Sequence, residues 1–488
     1  MGGFRAGATE GVMTRRRRAL VTLAILVLLG AVCGALGWLA TRDDPPPEDA
    51  DLRVHREVIP DEENAFTCFE EADKAVTWPE GADTRYAVAE ILDGGAWDAA
   101  LVEKTLEENR RALGLWEQGL ARARFQTPAA TSINTPTPYA GQWLTLAKVA
   151  SLRSLSLAKT SRPEEAFEEA MKVVQFGHRI EGAKGCLVVW LMGAMVKQLG
   201  LDRLRQPAAE APLPPERLRA CVYRLAPFGP DTAGLADAYR VEYAVFCNTV
   251  DGLSAGTVSW FGDVVVFFPV QAQPPPGNVM DLAMRSPYHL KPNRIKALSA
   301  PYYRALIEQV SKTNAEAKPR LQRLDDDLDK GVAGLWLPVC VVAPNGLGDI
   351  VLKALIPIHS SVNKLKCDEN VAVAATRLVL AIRAFEATSG RLPDALDDLV
   401  PAFIDAVPAD DFDGKPMRWS KEKRIVYSVG PDLVDDGGRE ATTAWESATT
   451  RGQSRDLVYH LDPRDAPRLD EDEAPAVDGP QEAPAEAP

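Results

Sequence analysis

Histidine is scarce in this sequence, and several motifs around which metal and nucleotide sites are built are missing from it. Its five histidines, His55, His178, His289, His359 and His460, include no H-E-x-x-H pair, so a helix holding two imidazoles and a general base around zinc is excluded. No two cysteines stand at C-x-x-C spacing, which excludes a zinc ribbon and a thioredoxin-type redox pair. The phosphate-cradling G-x-x-x-x-G-K-[ST] loop is absent, removing a nucleotide-binding P-loop. S-x-x-K occurs at Ser156 to Lys159 and at Ser361 to Lys364, but no K-T-G follows, and both read as helix faces. The acidic pairs Glu62-Glu63 and Glu70-Glu71 read as solvated helix charge rather than as a glycosidase dyad.

Positive charge is also in deficit. Lys and Arg total 55 against 69 Asp and Glu, a net charge of −14, and no basic face is visible that could neutralise phosphates, so nucleic acid is excluded as a partner. The segment from Asp465 to Pro488 carries eight acids and one Arg, half of that net charge, so the remainder is only mildly acidic.

One long hydrophobic run stands out. Arg15, Arg16, Arg17 and Arg18 precede an uncharged stretch from Ala19 to Thr41, which as a helix covers roughly 30 Å, the thickness of a hydrocarbon core. The arginines before it, with Arg42, Asp43 and Asp44 after it, predict a single-pass helix in the cytoplasmic (inner) membrane, N-terminus in and the bulk extracytoplasmic. A cleaved signal peptide competes, but the run is long for one and Leu36 to Ala40 offers no A-x-A site. Trp38 suits the interfacial belt, and Cys33, preceded by Val32, reads as a cysteine within the span rather than a lipidation site.

Cys68, Cys186, Cys221, Cys247, Cys340 and Cys367 follow, an even number in a compartment that permits disulfides, although a core this large also accommodates buried free thiols. The layout expected is a basic cytoplasmic N-terminus over 1–18, the transmembrane helix over 19–41 and an acidic Pro-rich stalk over 42–60. A helical domain over 61–358, an α+β module over 359–461 and a disordered acidic Pro/Ala tail over 462–488 complete it. Helical periodicity marks Arg85 to Gln126, Tyr139 to Lys159, Pro163 to Arg179 with Ser161 as N-cap, Cys186 to Leu204, Pro212 to Leu225, Ala233 to Leu253, Ala297 to Lys312 and Arg320 to Asp329. Asp263 to Val270 reads as a short β-type run. The fold class is mostly α, a hairpin-array-like body without a repeat period near 34 residues, carrying the small α+β module.

In that module a long helix from Ser361 closes at Ser389-Gly390, and Ala384 to Pro393 (AFEATSGRLP) is followed by Leu396 to Val400, the turn Pro408 to Pro416 (PADDFDGKP), Tyr427 to Asp432 (YSVGPD) and Asp456-Leu457-Val458. These stand in the order of the "hGxYP", "PxDPWGxPY", "SxGxDG" and "DI" motifs, so Val373 to Leu461 resembles the C-terminal part of the major pseudopilin of type II secretion systems, a general secretion pathway protein G-like domain. The resemblance implies a small sheet folded on the long helix. It also implies a calcium site in the loop before the last strand, which carries over to Asp432 and Asp456, with Asp435 and Asp436 as neighbouring carboxylates. Asp-rich turns also occur without metal, Leu433 replaces the family's Gly, and the insert from Arg439 to Arg455 lengthens the loop. A true pseudopilin has a short leader, a Gly-Phe cleavage point and a Glu early in its helix; here Arg18 runs straight into Ala19-Leu20-Val21, so the chain is not a processed pilin. Phrases such as Pro60 to Ala65 and Lys291 to Arg294 give the whole chain a resemblance to uncharacterised planctomycete-type membrane-anchored proteins.

These readings lead to a membrane-anchored scaffold or interaction protein with an envelope protein as partner, associated with type II secretion or pilus-like assembly. The alternative, of another class, is an envelope hydrolase with its site in the helical domain.

Overall fold

The structure, a computed structural model, describes residues 7–79, 81–210, 213–264, 279–332, 343–356, 360–440 and 456–465. It is mostly helical, with a small three-stranded sheet near the C-terminus and one apolar helix near the N-terminus long enough to cross a membrane. That helix, α1 (Gly7–Thr41), contains the 23-residue stretch Ala19–Thr41, none of which is buried against the rest of the chain.

The body begins with α2 (Ala65–Ala75), α3 (Ala82–Leu92), α4 (Ala99–Glu108) and α5 (Arg110–Ala121). One helical stretch was expected over Arg85 to Gln126; three shorter helices occupy it. Gly94, at φ +88°, takes a left-handed turn closed to most side chains, and Asp98 then caps α4 by accepting from the Leu101 amide at 3.0 Å. Asn109 separates α4 from α5: fully buried, it accepts from Thr77 N at 2.8 Å and donates to Thr77 O at 2.9 Å, tying down the chain after α2.

Next come α6 (Pro138–Lys159), α7 (Pro163–Glu181) and α8 (Leu187–Glu210). Pro163 opens α7 with Glu164 and Glu165 in its first turn, where the helix dipole favours acids. The N-cap position is Arg162 rather than Ser161, which instead adopts φ +59° to turn the corner from α6. Phe176 of α7 is the hub of an aromatic core, its ring centroid 4.7 Å from that of Phe69, 6.0 Å from that of Trp116 and 6.1 Å from that of Trp143.

After α9 (Pro215–Leu225), α10 (Thr232–Ala255) and α12 (Pro292–Gln309) lie side by side and antiparallel, Tyr243 against Tyr303 and Lys296 bonded to Asp251 at 2.6 Å. Between them comes α11 (Val279–Met284), and after them α13 (Asn314–Val332) and α14 (Gly346–Leu355). Of the β-type run expected over Asp263 to Val270, Asp263 and Val264 end a helical turn, Trp260–Val264, and the rest lies outside the described residues. Cys340, His359, residues 441–455 and the expected tail from 466 onward lie outside them as well. Every cysteine among the described residues is a free thiol.

The last helix, α15 (Ser360–Ser389), is buried around most of its circumference from Val371 to Phe385. On one side it meets α7, α8 and α9; on the other lie β1 (Arg418–Ser420), β2 (Ile425–Ser428) and β3 (Leu457–His460), antiparallel in the order β1-β2-β3 with Trp419 opposite Val426 and Val426 opposite Tyr459. Gly390, at φ +72°, ends the helix where the sequence marks its close. Phe167, Val174, Leu204 and Val222 share one continuous apolar cluster with Leu378, Ile382, Phe412 and Val426, so no solvent layer separates the α+β module from the helices before it.

The segment expected as a stalk is extended, but it is strapped across the body. The Asp43 carboxylate accepts from the amides of Asn293 at 2.9 Å and Arg294 at 3.2 Å, and Asp44 O accepts from Asn293 Nδ2 at 2.9 Å. Lys291, the N-cap residue of α12, makes no side-chain cap, so Asp43 caps this helix from 250 positions away in sequence. Further along, Asp49 accepts from Tyr243 Oη at 3.0 Å, Asp51 pairs with Arg304 at 2.7 Å, Leu52 is buried, and Lys184 Nζ donates to His55 O at 2.6 Å. Proline fixed the extended conformation; the acids found helix ends and arginines on the body. Replacing Asp43 by Ala is expected to cost about 1 kcal/mol and to speed hydrogen exchange at the Asn293 and Arg294 amides. Unchanged exchange at those two amides would contradict the capping role.

Candidate functional site

The most charged part of the interior lies where α7, α8 and α15 meet. Small residues let α7 and α8 approach closely: a Cβ on Gly193 would stand 2.7 Å from Gly177 O, and one on Gly200 would stand 2.7 Å from Val174 N. The approach brings the fully buried Lys197 of α8 onto Glu181, the last residue of α7, with Nζ 2.7 Å from Oε1 and 2.8 Å from Oε2. Nζ also bonds Glu369 of α15 and Gly229 O at 3.1 Å, and lies 3.4 Å from Nδ1 of His178. Glu181 accepts in addition from Asp231 N at 2.9 Å, and the Asp231 side chain caps α10 through Gly234 N at 2.8 Å.

Two carboxyls sharing one ammonium in a dry interior do not both ionise at neutral pH. Burial raises both, and the charge on Glu181 adds to the rise at Glu369, which is pushed up to about 8. Glu369 therefore holds its proton at pH 7, and Lys197 and Glu181 form the ion pair. Burial, then Lys197, hold His178 below its ordinary value, so the imidazole is neutral and faces the ammonium with a lone pair. The centre is thus electrically balanced. Lys197 and Glu181 are fully buried and Glu369 nearly so, which makes the cluster a fastening of three helices rather than a place where a substrate can reach.

A second ionic group ties α5, α6 and α7 together: Arg153 Nε donates to Glu169 at 2.8 Å, and Arg153 Nη2 and Lys172 Nζ both donate to Glu117 at 2.8 Å. Arg153 also lines a cleft of about 660 Å³ between α4, α5 and α6, with Leu106 and Leu113 as apolar wall and Glu103, Glu107 and Arg110 at its rim. Ser156 and Lys159, the first S-x-x-K pair, both line this cleft. The second pair begins at Ser361, whose side chain lies outside the described residues.

In the sheet module the acids gather around a guanidinium. Arg418 bonds Asp410 at 2.6 Å and Asp413 at 2.5 Å, and its Nε lies 3.5 Å from Asp435. Asp410, completely buried, accepts also from Ser428 Oγ at 2.8 Å and from the amides of Val429 and Phe412 at 3.0 Å. The four aspartates named from the sequence are spread along this loop. Asp432 and Asp435 each accept from the amide two residues on, at 3.1 and 3.0 Å, and Asp456 accepts from Gly438 N at 2.6 Å; Asp436 is exposed. Among the described residues no three His, Cys, Asp or Glu side chains group closely enough to hold a metal ion; 441–455, in the same loop, lie outside the described residues. Leu433 takes a left-handed backbone conformation, at φ +67°.

A groove of about 330 Å³ runs between α8 and the edge strand β3, lined by Gln198, Arg205 and Leu457 to His460. Arg205 sits 5.1 Å over the Tyr459 ring and bonds Thr376 of α15, while His460 Nε2 lies 2.8 Å from Glu440. Sequence reasoning identified none of Lys197, Glu181, Glu369, Arg205 or Arg418. The available signal was a lone Lys inside the apolar α8 stretch Leu187 to Leu201.

No family model, no curated protein and no solved structure matches this chain.

Removing the ammonium leaves Glu181 buried and uncompensated, so Lys197→Ala is expected to cost about 3–5 kcal/mol in denaturant unfolding. The pH dependence has the opposite sign from ordinary acid denaturation. Glu369 and the half-buried Asp73, both pushed up to about 8 by burial, lose their protons in the unfolded chain before the folded one. Their contribution is complete below about pH 4, the unfolded carboxyl range; it falls as pH rises and is gone above about 8. Glu369→Gln should flatten the fall in melting temperature between pH 5 and 8, and an unaltered slope would contradict the assignment.

Proposed function

We propose that this chain is a membrane-anchored extracytoplasmic scaffold or interaction protein of the bacterial envelope. In this reading α1 crosses the cytoplasmic membrane with its N-terminus inside, and the helical body presents the α+β module to an envelope protein partner. The observation that carries it is the state of α1: 23 consecutive residues from Ala19, none buried by the protein, directly behind four arginines. Leaving Leu20, Leu23, Ile25, Leu26, Val27, Leu28 and Leu29 more than half exposed to water is costly; a bilayer removes that cost.

A scaffold role is supported by the way the body's charged groups are spent. Lys197, Arg153 and Arg418 are each saturated by carboxylates of the chain itself, which leaves them bracing helices and turns rather than free to act on a ligand. An association with type II secretion or pilus-like assembly follows from the motif order of the α+β module. It is supported by Gly430 and Leu433, which hold left-handed turns at φ +68° and +67° within the segment resembling "SxGxDG".

The hydrolase alternative is favoured by one specific observation, the cleft lined by both Ser156 and Lys159. Labelling with a serine-reactive acylating probe separates the two: the scaffold reading expects no label on the wild type, and label lost in Ser156→Ala would establish the hydrolase. Alkaline phosphatase fused after Pro488 should be active and a cytosolic fluorescent reporter at the same site dark. The reverse pattern would remove the proposed topology.

A further inference from the structure

The strap makes the anchor short. Thr41 ends α1, and Asp43 already caps α12, so the first turn of α12 lies within about 7 Å of chain from the end of the span. Because α10 runs antiparallel to α12, the end of α10 is at the same pole of the body. There Gly256 O accepts from Arg285 at 3.5 Å, and Ser259 Oγ and Trp260 N hold Asp281 of α11 at 2.8 and 2.7 Å. The start of α14 is there too, with Asn345 Oδ1 accepting from Lys291 N at 2.9 Å and Gly348 N donating to His289 O at 3.1 Å.

This pole has the chemistry of a membrane-facing surface. Leu282 of α11 is 68% exposed; Arg285, three residues on, is exposed, and so is Arg294 in the first turn of α12. Arg42 lies 5.0 Å over the Trp38 ring at the end of the span. The acids of the pole are mostly engaged within the protein: Asp43 on α12, Asp281 on Ser259 and Trp260, Asp263 on Ser259 N at 2.7 Å, and Asp349 on Asn345 at 3.2 Å. Asp44 is exposed. What faces outward is therefore a leucine among arginines, the pattern that seats in a phospholipid interface.

We propose that this pole of the body, formed by α11, the first turn of α12 and the chain from Gly256 to Trp260, rests on the phospholipid surface beside α1, with Leu282 entering the interface and Arg285 and Arg294 on headgroup phosphates. The inference rests on the membrane-anchor reading and deepens it, since anchor and seat together give two points of attachment and fix the body's orientation. The opposite end of α12 leads to the α+β module, Asn314 N donating to Asp411 O at 2.8 Å. The module therefore stands about 27 Å of helix away from the membrane.

The test uses the full chain reconstituted into phosphatidylcholine–phosphatidylglycerol vesicles, with a nitroxide carried on a noncanonical side chain at position 282, and at 58 or 434 as controls. The seat predicts collision at 282 favouring oxygen over a water-soluble nickel chelate several-fold relative to both controls. Arg285→Glu combined with Arg294→Glu should move 282 toward the chelate while carbonate-resistant membrane retention persists. Position 282 as open to chelate as position 58 in retained protein would overturn the seat alone, and exclusion of both collision partners would assign the surface to a second copy of the chain and overturn it likewise. Extraction of the wild type by carbonate would remove the anchor and the seat together.

Discussion

Two consecutive helices and a third far from them in sequence are held in register by one buried ammonium. Lys197 is tolerable in the interior only because Glu181 and Glu369 reach it from two directions, and they reach it only because glycines let α7 and α8 come nearly backbone to backbone. Glu369 belongs to α15, on whose far side the sheet is built, so this contact ties the α+β module to the helical body at a defined rotation and height. An apolar cluster alone would accept small slips of one helix past another. The ion pair with its proton-sharing partner does not, since a displacement of one turn would strand a charge in a dry interior.

The same economy appears at helix ends. Asp43 caps α12, Glu242 accepts from Leu187 N at 2.8 Å at the start of α8, and Asp231 both caps α10 and offers its own amide to Glu181. A helix N-terminus needs an acceptor but does not require that it come from the preceding residue. By taking caps from distant segments, the chain makes each cap a long-range fastening as well. The body's acidic excess is thus partly structural, and the carboxylates that look free in the sequence are engaged in the fold.

Much of the fold was legible because it depends on local signals. Pro163 and Pro215 open helices, Gly390 closes one, and the apolar run from Ala19 has the length of a bilayer; each is a property of a few adjacent residues. The break between α4 and α5 was not legible, because Asn109 is chosen by a partner, Thr77, which periodicity does not see. The candidate site was less legible still. Lys197, Glu181 and Glu369 lie 16 and 172 positions apart, and no spacing rule links them. The grouping of Asp410, Asp413 and Asp435 about Arg418 was not legible either, because motif order names Asp435 and says nothing of the guanidinium it faces.

The strap shows how composition alone leaves open where an extended segment lies. Proline and acid together describe a segment that stays extended, and residues 42–60 are irregular apart from one 3-10 turn at Ala50–Leu52. Extension, however, is also what a segment needs in order to reach several separated acceptors on a surface, and Asp43, Asp49 and Asp51 meet an α12 end, a tyrosine and an arginine in turn. A spacer and a strap differ only in whether the body offers partners at matching intervals, information carried by residues some 200 positions downstream. Once those partners exist, ordering the segment costs entropy that the caps and ion pairs offset. The gain is geometric: the chain just after α1 is held at a fixed place on the body instead of at the end of a flexible tether.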